Sequence, residues 1–143
     1  MFEAKQESIK LLARDTNDLA VVSAMLQDAI VPTGDMAYLK KQCTFIMAVN
    51  RFCWEKRLNK VNDERVHSIV QVKKVWDVKF QGINRCNPSN FNSILSVSLE
   101  KKDIVINFSG KGTIRLKVNE VSCFLEDFER SWPAIWRPQH TVG

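Results

Sequence analysis

The chain has 143 residues, of which 45% are hydrophobic and 26% charged, with a net charge of +5. That length allows one domain with a single core, and those proportions exclude disorder and fibrous repeats. No apolar run approaches the roughly 20 residues of a membrane helix, so no membrane association is expected.

The amino end, MFEAKQESIK, has no apolar stretch of signal-peptide length, and a cytoplasmic protein is expected. Asp15, with Asp18 three residues on, predicts an N-cap and a helix over Thr16 to Gln27. Leu19, Val22, Leu26 and Ala29 form its apolar face. Ala29 to Val31 and Met36 to Leu39 read as short strands around the turn Pro32-Thr33-Gly34. Thr44 to Phe52 is apolar through FIMAV, the pattern of a strand covered on both faces. Asn50, Phe52 and Trp54 share one parity, predicted to continue the core face of Ile46 and Ala48. Arg51 and Glu55 take the other.

After the polar loop KRLNKVNDE, Val66, Val70, Val72, Trp76, Val78 and Phe80 alternate with His67, Gln71, Lys73, Asp77 and Lys79, which describes a long strand or bent pair with one wet face. Asn84 to Asn92 predicts a loop. Leu95-Val97-Leu99, Ile104-Ile106-Phe108 and Ile114-Leu116-Val118 predict an antiparallel meander, with lysines at its turns. Val121, Phe124, Leu125 and Phe128 then take helical spacing behind Asn119. They predict a closing helix over 119–128, with a strand continuing through Cys123 to Leu125 as the alternative. The tail, residues 131–143, holds two prolines with Trp132, Ile135 and Trp136. It is expected to pack on the body or on a partner, or to join two copies.

These elements make a single α+β domain, 1–143: a mostly antiparallel, curved or rolled sheet of about six to eight strands with an N-terminal and a C-terminal helix, pleckstrin-homology-like by analogy. Four cysteines lie far apart with no histidine at ligand spacing. No metal or cofactor is expected, and three of the four thiols read as small core hydrophobes. Neither His67 nor His140 has a carboxylate at local spacing to orient it as a base, and the usual catalytic motifs are missing. The reading therefore leans away from an enzyme. Residues 40–79 carry ten Lys or Arg against four Asp or Glu, which raises nucleic acid as an alternative partner.

The segment NRFCWE offers two readings. In one, Arg51 fixes a corner of the core by pairing with Asp28, Asp35 or Glu55. In the other, Gln27, Asp28, Asn50, Arg51, Trp54 and Glu55 form a polar binding cleft over an aromatic floor.

Leu12, Asp15, Asp18-Leu19, Leu26-Gln27-Asp28-Ala29, Gly34-Asp35, Tyr38, NRFCWE, FSGKGTIRL and the late Trp132, Pro138 and His140 together resemble an uncharacterised alphaproteobacterial family of unknown function, family 2948. The resemblance runs from about Ile9 to His140 and implies no activity, cofactor or catalytic residue. The chain departs from it in its abundance of lysine and asparagine and in Lys111, where glycine is familiar. The function read from the sequence is a non-catalytic binding or protein-interaction module with an unknown protein partner. The alternative is a nucleic-acid-associated protein, and the third reading an unrecognised enzyme.

Overall fold

The structure, a computed structural model, describes residues 9–53 and 65–128. Strand β1 (Lys10–Ala13) leads into helix α1 (Thr16–Leu26), and the helix start is fixed by the two expected acids. Asp15 Oδ1 accepts from the amide of Asp18 at 2.8 Å, and Asp18 Oδ2 accepts from the amide of Arg14 at 3.0 Å. Such side-chain caps satisfy amides that a helix leaves unpaired, and each contributes about 1 kcal/mol. Leu19, Val22 and Leu26 are buried beneath the helix. Gln27 caps its end and Asp28 takes a left-handed φ of 67°, turning the chain into the sheet.

The strands that follow are β2 (Ile30–Pro32), β3 (Met36–Leu39), β4 (Thr44–Phe52), β5 (Arg65–Val72), β6 (Val75–Gln81), β7 (Phe91–Glu100), β8 (Asp103–Phe108), β9 (Thr113–Val118) and β10 (Cys123–Phe128). They form one sheet in the order β1-β10-β5-β4-β2-β7-β8-β9-β6, with β3 beside β4. A 3-10 turn at Thr33–Asp35 divides β2 from β3. Both lie along the same edge of β4, Ile30 opposite Asn50 and Met36 opposite Met47. The other edge of β2 pairs with β7, so three residues join the two halves of the sheet.

The sheet is curled and not closed. Phe45, Met47 and Val49 of β4, Val70 and Val72 of β5, and Cys123 and Leu125 of β10 share one core with Ile104, Ile106, Ile114 and Leu116 of the other half. Helix α1 touches both β1 and β7, which fills the mouth between the halves and removes its apolar face from water.

The mostly antiparallel sheet with an N-terminal helix agrees with expectation, and three details do not. Among the described residues the sheet has ten strands rather than six to eight. The closing helix over 119–128 is strand β10, paired with β1 on one side and β5 on the other. Cys123, Leu125 and Asp127 alternate inward, and the backbone demand of two neighbouring strands overrides the helical spacing of the apolar residues. Among the described residues the helix-closed, pleckstrin-homology-like arrangement therefore lacks its closing helix.

The third detail is a pair of β-bulges that break the parity of the long strands. One lies between Val75 and Asp77, the other between Ile94 and Ser96. Each inserts one residue and expels it, so Trp76 is 58% exposed and Leu95 52%, although simple alternation places both inside. Beyond each bulge the inward face resumes with Val78 and Phe80, and with Val97.

Lys101, Lys102 and Lys111 stand at turns of the meander, as expected, and Lys74, Lys101 and Lys111 occupy left-handed positions. No disulfide joins the four cysteines, and only Cys53 and Cys123 are buried. Cys43 follows the 3-10 turn Lys40–Gln42 with φ 52°, which holds it outside. Burial pushes the Cys123 thiol up to about 12. At neutral pH a thiol reagent should therefore modify Cys43 and Cys86 in the native protein, and Cys123 only after unfolding. Equal rates at all four would contradict this packing.

Candidate functional site

Strand β4 carries functional candidates on both faces. Arg51 shares the parity of Phe45, Met47 and Val49, and its side chain is 0% exposed. Its Nε and Nη2 donate to Asp127 Oδ1 and Oδ2 at 3.1 and 2.9 Å, and its Nη1 donates to the carbonyl of Phe52 at 2.9 Å. Ser68, cross-strand from Asp127, donates its hydroxyl to Oδ1 at 2.6 Å, and the amide of Ile9 donates to Oδ2 at 3.0 Å. Burial pushes the Asp127 carboxyl up, but the hydrogen bonds from Arg51, Ser68 and Ile9 and the guanidinium charge outweigh it. The carboxyl is held below the usual carboxylate range. This cluster joins β4, β5, β10 and the residue before β1 at one end of the core.

The inward face of β4 is thus the reverse of the expected one: Arg51 is inside and Asn50 and Phe52 are half-buried on the outer side. Because FIMAV is buried throughout, its pattern carries no parity. Asp127 decides it, since a buried guanidinium needs a carboxylate and β10 presents Asp127 to the inner face, whereas Glu126 faces out beside Lys10. Asp127 is not among the acids expected to pair with Arg51, which were Asp28, Asp35 and Glu55.

On the outer side a shallow hollow of about 470 Å³ lies where β2 joins the two halves. Phe52 and Arg65 face each other across β4 and β5, with the Arg65 guanidinium 4.0 Å above the Phe52 ring. Arg65 Nη1 donates to both the carbonyl and Oδ1 of Asn50, each at 2.9 Å. Aromatic stacking and these bonds together hold the cation in one orientation. Asp28 lines the same hollow, placed by its left-handed φ and by its amide, which donates to the carbonyl of Ile94 at 2.8 Å. Phe91, at the start of β7, is 71% exposed. Beside it Asn92 Nδ2 donates to the Val31 carbonyl at 3.1 Å and to Thr33 Oγ1 at 2.8 Å, which fixes that wall. Ser93 and Ser109 complete the lining.

Of the residues predicted to meet in a cleft, Asp28 lines the hollow and Asn50 stands at its edge through Arg65. Gln27 caps α1, and Arg51 lies on the opposite face of the sheet. Trp54 and Glu55 lie outside the described residues, as do His140 and the Trp132–Trp136 tail. Sequence reasoning missed Arg65 and Phe91, because each begins a strand next to polar loop sequence and only the pairing of β2 with β4 and β7 brings them together. Asp127 was legible in principle: read as a strand, 123–128 puts it in line with Cys123 and Leu125.

The remaining charges are spread over the outer surface. Arg115 reaches Asp103 at 3.1 Å and Glu100 at 3.2 Å, and Lys117 reaches Asp103 at 3.4 Å. Lys74 pairs with Glu120, and Lys73 lies 5.5 Å above the Phe124 ring. Among the described residues no three His, Cys, Asp or Glu side chains converge on a common point, and no helix is long and apolar enough to cross a membrane.

The family model described as "Protein of unknown function (DUF2948)" matches residues 9–140, and the chain belongs to that family. No curated protein and no solved structure matches it.

Proposed function

We propose that this member of the family is a non-catalytic binding or protein-interaction module, cytoplasmic, whose partner seats in the hollow at the β2 junction. One observation carries the reading: an acid, Asp28, a stacked cation, Arg65, and an exposed aromatic, Phe91, converge on one open hollow. Among the described residues Asp28 and Arg65 form no ion pair with each other or with any third group, and only Nη1 of the guanidinium is engaged. Oriented polar groups around an apolar wall are what fix a ligand in a pocket, and exposed aromatics and arginines dominate the energetics of interfaces. The lining holds no histidine to serve as a general base. Four cysteines with no disulfide among them suit a reducing compartment.

The basic stretch 40–79 supports a nucleic-acid partner poorly. Arg51 is internal, Lys74 is ion-paired, Lys73 covers Phe124 and Arg65 covers Phe52, so these cations do not form the continuous stripe that phosphate binding needs.

Capture from a native cell extract tests the proposal with the parent chain, Phe91→Ser, Arg65→Ala and the control Val21→Ser on the exposed side of α1. Phe91→Ser should leave stability within about 0.5 kcal/mol, the range of surface substitutions. A partner held by parent and control should be lost by both hollow variants. A partner retained equally by all four would remove the hollow as the site, and one displaced by moderate salt and replaceable by heparin would mark nonspecific charge.

A further inference from the structure

Strand β6 ends the sheet order. It pairs with β9 along one edge. On the other, after Val75 donates its amide to the Cys43 carbonyl at 2.8 Å and accepts from the Tyr38 hydroxyl at 2.8 Å, it pairs with no strand among the described residues. An unpaired strand edge is a template for another strand. Its sequence, VWDVKFQ, places Asp77 and Lys79 symmetrically about Val78. Lys79 stands directly across from Arg115, a like-charge pair of the kind that destabilises a sheet, and Arg115 is already engaged by Asp103 and Glu100. Asp77 stands across from Lys117, whose ammonium reaches Asp103 instead. Among the described residues neither Asp77 nor Lys79 has an ion-pair partner. Beside them the bulge exposes Trp76 at 58%.

We propose that two copies of this chain associate through β6, antiparallel, about a two-fold axis at Val78. In that register each Asp77 lies opposite Lys79 of the second copy, both on the outer face beyond the bulge. One alignment thus supplies each Lys79 with a carboxylate and each Asp77 with an ammonium, and pairs both strand edges. The surface is separate from the hollow, which lies at the β2 junction.

Sedimentation equilibrium of the full chain, from micromolar to millimolar concentration, tests this. The parent mass should double as concentration rises. Asp77→Lys and Lys79→Asp should each abolish the dimer, because each places like charges opposite one another at both contacts. The double exchange Asp77→Lys with Lys79→Asp should restore it. So should an equimolar mixture of the two single variants, whose edges are complementary. Circular dichroism establishes that each variant is folded, and the mixture tests the contact without any further substitution. A parent that stays monomeric at millimolar concentration would overturn the proposal, meaning that the lysine and the bulge only blunt the edge. A dimer indifferent to both single substitutions uses another surface and would also overturn it, as would two folded single variants whose mixture remains monomeric.

Discussion

Arg51→Ala is expected to destabilise the protein by about 3 to 5 kcal/mol, the cost of breaking a buried ion pair by removing one partner. The side chains of Arg51 and Asp127 are 0% and 5% exposed, and two parallel charge-assisted bonds join them. Without the guanidinium, the Asp127 carboxylate keeps only the Ser68 hydroxyl and the Ile9 amide in a place water scarcely reaches. The loss therefore reflects a stranded charge more than a missing attraction. Replacing both partners by apolar residues of similar volume, Arg51→Met with Asp127→Leu, should recover most of it. Chemical denaturation of the two variants separates the cases, and an Arg51→Ala protein within about 1 kcal/mol of the parent would show that the pair holds nothing together.

The same pair contributes to the acid limb of stability, as do the lowered carboxyls of Asp103 and Glu120. The folded-state carboxyl of Asp127 lies below its unfolded value of about 3.9, so the unfolded chain binds the proton more readily. The contribution is present in full above the unfolded pKa and is lost as pH falls through the folded one. In Asp127→Asn the stability at neutral pH should drop and the acid limb should flatten. An unchanged acid limb would place the pH-sensitive group elsewhere.

Phe45→Ala is expected to cost about 3 to 5 kcal/mol, the range for deleting a fully buried aromatic ring. Phe45 is 0% exposed on β4, and its ring lies 6.4 Å from that of Phe80 on the edge strand β6. Those strands belong to opposite halves of the sheet order, so curling alone brings the rings together. The variant should lose stability and the packing of β6 at once, with faster amide exchange over Val75–Gln81. Val21→Ala, at an exposed position of α1, should stay within about 0.5 kcal/mol. A Phe45→Ala protein as stable as that control would mean that the two halves do not share this core.

What the sequence determined by itself is local. Asp15 and Asp18 mark the helix start because unpaired amides at a helix N-terminus need acceptors nearby in the chain. The strands of the meander were legible because alternation reports a face whenever one side is wet. Family membership was also readable, as a resemblance carried by segments such as Gln27-Asp28-Ala29 and NRFCWE. Tertiary structure decided what local pattern leaves degenerate. A run buried on both faces, such as FIMAV, has no parity until a partner supplies one, and Asp127, 76 residues from Arg51, supplies it. Two bulges reversed the alternation at Trp76 and Leu95, since one inserted residue turns every later side chain over without leaving a mark in hydrophobicity. Segment 123–128 became a strand because β1 and β5 needed a neighbour to pair their backbone groups. The hollow arose from β2, whose three residues bond to β4 and β7 and so bring Asp28, Arg65 and Phe91 from distant parts of the chain to one place.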